Sequence, residues 1–241
     1  MPVLEKRMKI GILQTGRPPA HLVAGYGDYP AMLRRLLGDR HDYSIFDVQG
    51  NQWPQERESD RGGCDAYVIT GSAAGVHDGQ PWIETLGNFL RERAGKSKLV
   101  GICFGHQVMA EAFGGRVERA RIGWGLGLHR YRLRCQTAWT DPVEDIAIPV
   151  SHQDQVVEKP PAARIIASSH FTPFAVLEYP SLGAISFQCH PEFDPDFAAE
   201  LVHIRPPEQV DQKQRDEALA SLHIPHDNPR LGSWINRFLV S

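Results

Sequence analysis

The segment 99–115, Leu-Val-Gly-Ile-Cys-Phe-Gly-His-Gln-Val-Met-Ala-Glu-Ala-Phe-Gly-Gly, runs from an apolar strand pattern straight into a helical pattern. Cys103 stands at the junction, with Gly101 and Gly105 two residues to either side. A sharp strand-to-helix turn needs small residues beside the one that projects from it. In doubly wound sheets, ligands bind at this carboxyl edge. The segment therefore predicts a strand, a tight turn and a helix, with a thiol projecting at the edge of the sheet.

The rest of the first half alternates short apolar runs with helical patterns, which is typical of parallel strands joined by crossover helices. We therefore predict an α/β fold with a doubly wound, mostly parallel sheet and flanking helices. The predicted strands are Lys9–Gln14, Tyr43–Val48, Ala66–Thr70 and Lys98–Ile102, and the predicted helices are Tyr29–Leu37 and Pro81–Arg93. Each strand is a brief apolar run, as expected when both faces of a sheet are covered.

The second half changes character, because residues 115–187 read as strands broken by turns and predict an antiparallel segment. Two closing helices are expected over Phe197–His203 and Leu231–Val240, each preceded by Asp and Pro start signals. The polar stretch Arg205–Ala220 between them fits either a solvated helix or a mobile excursion. We expect a single domain over residues 1–241, with a core at 8–204 and a helical extension at 205–241.

Bulk composition excludes several classes of protein. Charged residues make up 23% of the 241 residues and the net charge is −3, which gives no electrostatic affinity for nucleic acid or anionic lipid. Neither a secretory signal nor the ~20 apolar residues of a membrane span are present, so we expect a cytoplasmic protein. The cysteines lie far apart without a CxxC pair, which predicts neither a zinc site nor disulfides. They are Cys64, Cys103, Cys135 and Cys189.

A candidate base for Cys103 follows a later β-rich run, Ser186-Phe-Gln-Cys-His-Pro-Glu-Phe. Alternate residues of an extended chain project to one side, so His190 and Glu192 can share a pocket, and the carboxylate can orient the imidazole. A helix N-terminus also favours a thiolate at Cys103. Plainer interpretations exist for both motifs: a small buried cysteine at a tight turn, and an exposed strand end with unrelated polar residues.

Together, Gly101-Ile-Cys-Phe-Gly-His-Gln and His190-Pro-Glu resemble the class I glutamine amidotransferases, especially stand-alone members similar to guanylate (GMP) synthase amidotransferase domains and γ-glutamyl peptidases. The resemblance implies a flavodoxin-like fold and a catalytic triad of Cys103, His190 and Glu192. It also implies an oxyanion hole formed by the amides of Gly71 and Phe104. The segment Ser151-His-Gln-Asp-Gln-Val resembles the family's S-H-x-D-x-V segment, whose backbone holds the substrate's α-amino and carboxylate groups. Candidate substrate-binding residues are therefore Ser72, Gln107, Ser151, His152 and Gln153.

The resemblance implies hydrolysis of a γ-glutamyl amide through a thioester, with release of ammonia and glutamate and with no metal or cofactor. Several alternatives stay open. The chain acts on a small molecule, either by passing ammonia to a separate synthetase subunit or as a free-standing γ-glutamyl peptidase. A different class of function is a non-catalytic regulatory module on the same scaffold. A cysteine enzyme of the related chaperone and protease group is disfavoured by His190-Pro-Glu.

Overall fold

A mixed nine-stranded sheet forms the centre of the protein in a computed structural model, which describes residues 6–54 and 63–241. The strands are β1 (Lys9–Gln14), β2 (Asp42–Asp47), β3 (Ala66–Ile69), β4 (Lys98–Ile102), β5 (Arg116–Arg119), β6 (Gly125–Leu133), β7 (Asp145–His152), β8 (Asp154–Glu158), β9 (Arg164–Ser168), β10 (Val176–Tyr179) and β11 (Ala184–Phe187). The order is β2-β1-β3-β4-β11-β10-β9-β6-β7, and β5 pairs separately with β8.

Five neighbouring strands are parallel: β2, β1, β3, β4 and β11. The remaining strands of the sheet, β10, β9, β6 and β7, are antiparallel to their neighbours. The predicted fold class, with an antiparallel segment in the second half, is therefore confirmed. Among the predicted strands, β1 and β4 have the predicted bounds, β2 begins and ends one residue earlier, and β3 ends one residue earlier.

The helices of the described chain are α1 (Ala20–Tyr26), α2 (Tyr29–Leu37), α3 (Pro81–Arg93), α4 (Phe104–Ala112), α5 (Pro195–His203), α6 (Gln212–Ser221) and α7 (Asn228–Val240). The bounds predicted for α2 and α3 are confirmed. A Pro opens α2, and the Asp28 carboxylate accepts a hydrogen bond from the Ala31 amide at its N-terminus. None of the helices in the described ranges is both long and apolar enough to cross a membrane.

Two apolar layers cover the sheet. On one face, β1, β3, β4 and β11 pack against α2 and α7, and Trp234 of α7 is fully buried there. On the other face, the same strands pack against α3 and α4, with Leu86, Leu90 and Phe104 buried. Both faces of the parallel strands are covered, which explains their continuous apolar runs.

The polar stretch after α5 contains a solvated helix, which decides between the two alternatives for Arg205–Ala220. Asp211 caps α6 by accepting a hydrogen bond from the Gln214 amide at 2.8 Å, and Ala218 is the buried residue of the helix. Helix α6 packs against β6 and α5. The helical pattern of α6 is weak in the sequence because this helix buries so little apolar surface.

Candidate active site

Cys103 occupies a strained turn between β4 and α4. Its backbone has φ 51° and ψ −100°, a conformation that L side chains rarely adopt. Asn51 is the other non-glycine residue with positive φ in the described chain. Such a residue costs on the order of 1–3 kcal/mol, and it persists only where the surrounding structure enforces it. The Cys103 amide is held by the Phe187 carbonyl at 2.7 Å, so β11 anchors the turn.

The two flanking glycines are required by close packing. A Cβ at Gly101 would lie 2.5 Å from Met109 Sδ, and a Cβ at Gly105 would lie 2.5 Å from the carbonyl oxygen of Ile69. Real Cβ atoms essentially never approach so closely. The predicted need for small residues around the cysteine therefore has a specific cause: the first turn of α4 lies directly against the ends of β3 and β4.

His190 follows β11 and lies between an aromatic ring and a carboxylate. Its amide donates to the Pro149 carbonyl at 2.9 Å, which ties it to β7. The imidazole stacks on Phe193, with ring centres 3.8 Å apart and planes 8° from parallel. Its Nδ1 lies 2.8 Å from Oε1 of Glu192, and both side chains are buried. The shared pocket predicted for His190 and Glu192 is thus present in the structure.

The charges around His190 favour its protonated form. Burial alone lowers the pKa of a histidine, but the negative charges of Cys103 and Glu192 and their hydrogen bonds outweigh burial and raise the pKa of His190 to about 10. Because Nδ1 contacts Glu192, Nε2 is the ring nitrogen available to the thiol. The second carboxylate oxygen of Glu192 is buried without a partner in the described chain. The site can therefore hold an imidazolium beside the sulfur of Cys103.

Gly71 lies next to both Cys103 and His190. A Cβ built on it would lie 3.0 Å from His190 Cε1 and 3.8 Å from Cys103 Cβ. Its carbonyl accepts hydrogen bonds from the hydroxyls of Thr15 at 3.1 Å and Thr70 at 3.0 Å, so its peptide orientation is fixed. Within residues 6–54 and 63–241, no protein acceptor takes the amide hydrogen of Gly71 or of Phe104 at the start of α4. Both donors are available for an oxyanion.

A chain of buried amides reaches the sulfur from the opposite direction. Gln188 Nε2 lies 3.7 Å from Cys103 Sγ, and Gln188 Oε1 accepts a hydrogen bond from Gln107 Nε2 at 3.3 Å. Gln107 also donates to the Asp154 carbonyl at 2.7 Å. Gln188 was not among the residues predicted from the sequence. Alternation could have done so, because Gln188 stands two residues before His190 in the same β-rich run.

Residues 28–201 match the family model for glutamine amidotransferase class-I. The chain belongs to the class I glutamine amidotransferases. A glutamine amidotransferase-like protein of Schizosaccharomyces pombe is 30% identical over 244 residues, which cover 96% of this chain and 98% of the relative. γ-Glutamyl peptidase 3 of Arabidopsis thaliana is 29% identical over 213 residues, 84% of each chain. A glutamine amidotransferase from Thermotoga maritima shares the fold, with a TM-score of 0.75 at 15% identity over 98% of this chain and 100% of that one.

Two of the residues that the amidotransferase resemblance assigns to substrate binding present side-chain oxygens near this site. Ser72 follows Gly71, and its hydroxyl accepts a hydrogen bond from the Ala74 amide at 3.1 Å. Ser151, near the end of β7, accepts a hydrogen bond from Arg205 Nη2 at 3.1 Å. Both residues are half-buried.

His152, which the resemblance also assigns to substrate binding, has its side chain against protein. The His152 ring is buried edge-on against Phe171, with Nδ1 3.1 Å from the Asp154 carbonyl. Burial lowers the pKa of His152 to about 3, so the ring is neutral. The Gln153 carbonyl accepts a hydrogen bond from the Ala120 amide at 2.8 Å. The His152 side chain is therefore a core element here.

Two further residues that interact with Cys103 were not predicted from the sequence. Burial and the charges of Glu192 and Cys103 raise the pKa of the Tyr29 phenol, whose ring stacks on Phe193 at 5.9 Å. Arg205 lies after α5, and its guanidinium interacts electrostatically with Tyr29 and Cys103. Neither residue is near a motif in the sequence, and only the fold brings them to the cysteine.

The remaining cysteines lack the setting of Cys103. Burial raises the pKa of the Cys189 thiol and, less strongly, that of Cys64. The Cys135 thiol donates to the Ile165 carbonyl at 3.5 Å. All four cysteines are free thiols. Over residues 6–54 and 63–241, no group of three His, Cys, Asp or Glu side chains is arranged to hold a metal ion.

Proposed function

We propose that this class I amidotransferase hydrolyses γ-glutamyl amides through a thioester on Cys103. The observation that carries the proposal is the position of the His190 ring, beside Cys103 and Gly71 on one side and bonded to Glu192 through Nδ1. The raised pKa of His190 supports an imidazolium that pairs with the Cys103 thiolate at the moment of attack.

In this mechanism the Cys103 thiolate attacks the γ-carbonyl carbon, and the amides of Gly71 and Phe104 donate to the resulting oxyanion. The carbon–nitrogen bond breaks as His190 gives its proton to the leaving nitrogen, which leaves a γ-glutamyl thioester and a neutral imidazole. His190 then takes a proton from water, the hydroxyl attacks the thioester, and the carbon–sulfur bond breaks. Glutamate leaves, and the ion pair is restored. Glu192 orients the ring throughout.

Selective labelling and turnover test this proposal. A glutamine-like electrophile should alkylate Cys103 and leave the other three thiols unmodified, as read by peptide mass spectrometry. Cys103→Ser should abolish turnover of γ-glutamyl substrates. Cys135→Ser is the matched control, because its hydroxyl can still donate to the Ile165 carbonyl. An unlabelled Cys103 in folded protein, or activity that survives Cys103→Ser, would mean a non-catalytic module or a different nucleophile.

Two leaving groups fit the same acyl chemistry. The curated relatives that match along most of this chain include proteins named γ-glutamyl peptidases, which favours γ-glutamyl conjugates as substrates. Hydrolysis of free glutamine, with ammonia passed to a separate synthetase subunit in the cytoplasm, is the second candidate, and it follows from the family itself. Rates on glutamine and on a γ-glutamyl dipeptide, measured without any partner, separate the two. A peptidase prefers the dipeptide, whereas a partner-dependent glutaminase is slow on both.

A further inference from the structure

Arg205 is a half-buried cation without a carboxylate partner in the described chain. Its guanidinium lies over the ring of Trp124, 3.9 Å from the ring centre, and Nη2 donates to Ser151 at 3.1 Å. Its Nε is buried and has no acceptor among residues 6–54 and 63–241. Burying a guanidinium without a counter-charge is unfavourable, and burial lowers the pKa of Arg205. A site of this kind is completed when an anion binds.

The position of Arg205 identifies the anion. Its hydrogen-bond partner Ser151 belongs to the segment that the family resemblance assigns to substrate binding, and the guanidinium interacts electrostatically with Cys103 and Tyr29. A γ-glutamyl group attached at Cys103 carries its own α-carboxylate carbon about 5 Å from the reacting carbon, four bonds along the extended chain. Arg205 contacts Ser151 through its side chain, and a planar guanidinium is well suited to bind a carboxylate.

We propose that Arg205 binds the α-carboxylate of the γ-glutamyl group and thereby selects substrates with a free α-carboxylate. This inference rests on the proposed function, since it names the group that the site recognises. The cation–π contact with Trp124 and the hydrogen bond to Ser151 hold the guanidinium in one orientation before substrate arrives. Such preorganisation lowers the entropy lost on binding.

Helix α6 fixes the backbone at both Arg205 and Trp124. Its Arg215 donates to the carbonyls of Val202 and His203 and to that of Arg205 at 2.8 Å, which fixes the backbone that carries the Arg205 guanidinium. Gln214 Nε2 donates to the Trp124 carbonyl at 2.8 Å. One helix thus positions both the cation and the ring under it.

Close packing holds α6 against β6. Gly127 has φ +81°, and a Cβ on it would lie 2.6 Å from the Ala218 carbonyl oxygen. The Ser221 hydroxyl accepts a hydrogen bond from the Leu128 amide at 2.8 Å. We therefore assign to α6 the role of positioning Arg205 and Trp124. The surface of α6 itself is mostly polar.

The test compares two substrates that differ only at the α-carboxyl group: L-γ-glutamyl-p-nitroanilide and its α-carboxamide. Wild type should prefer the carboxylate by about 10- to 100-fold in kcat/KM, the range of one charge-assisted hydrogen-bonding contact. Arg205→Met should lose most of this preference through a raised KM on the carboxylate, with a change of less than about threefold on the carboxamide. Arg205→Lys should restore part of it, because a point charge replaces the planar guanidinium.

Arg132→Met, at an exposed residue of β6, is the matched control and should keep the wild-type preference. An equal loss on both substrates in Arg205→Met would mean that Arg205 only maintains the fold, and an unchanged preference would mean that another group reads the carboxylate. Either result overturns the inference. Binding of L-glutamine and L-glutaminamide to Cys103→Ala, measured by calorimetry, tests Arg205 without turnover. It therefore separates a failure of this inference from a failure of the proposed hydrolysis.

Discussion

Gly71→Ala should slow turnover strongly while leaving the fold intact. The new methyl group would lie 3.0 Å from His190 Cε1, where ordinary contacts begin at about 3.4 Å. The imidazole must then retreat by about 0.4 Å, and it is held by its contacts with Phe193 and Glu192. A misplacement of 1 Å in a catalytic group can cost about 100-fold in rate, so this displacement should cost about tenfold.

Stability should change by less than about 1 kcal/mol, because φ at Gly71 is not positive and alanine reduces the entropy of the unfolded chain, which offsets part of the strain. The assay pairs initial rates on a γ-glutamyl amide with urea unfolding. Gly25→Ala in α1 is the control, since a Cβ there meets nothing within 4 Å and should leave the rate unchanged. If Gly71→Ala turns over at the wild-type rate while remaining folded, the position of His190 next to Gly71 has no bearing on catalysis.

Three other substitutions test the turn at Cys103, the carboxylate of Glu192 and helix α6. Glu192→Gln removes a negative charge that raises the pKa of His190, so the imidazolium is lost at lower pH and the alkaline limb of the kcat/KM profile should move down from about pH 10; an unmoved limb would exclude His190 as its source. Gly101→Ala places a methyl 2.5 Å from Met109 Sδ and 2.6 Å from the carbonyl oxygen of Gly105, and it should cost about 2–3 kcal/mol of unfolding free energy. Urea titration measures this cost, and a wild-type midpoint would contradict the packing. Gly127→Ala should displace α6 and lower kcat/KM on the substrate with a free α-carboxylate more than on the carboxamide substrate. An equal loss on the two substrates would argue against a positioning role for α6.

Local patterns predicted the elements that bury a continuous apolar face. Helices α2 and α3 have the predicted bounds, because each combines a proline start with several buried apolar residues. Helix α1 was not predicted, because Leu22 is its one buried residue and the apolar periodicity of the segment is therefore weak. Helix α6 was undecided for the same reason. Elements that depend on tertiary packing leave little trace in the sequence.

The candidate site shows the same division. Cys103, His190 and Glu192 could be predicted as site residues from the sequence because a turn requires glycines and an extended chain alternates its side chains, and both are local rules. Arg205 and Tyr29 reach the cysteine only through the fold, so no spacing in the sequence marks them. His152 lies within a family motif, yet its buried ring serves the core.

The backbone of Cys103 places stability and chemistry in opposition. At φ 51° and ψ −100°, glycine would adopt the turn without steric cost and would relieve on the order of 1 kcal/mol or more of strain. Selection for stability alone would therefore favour glycine over cysteine at position 103. Under the proposed mechanism, this strain is the stability given up to place a thiol at the turn.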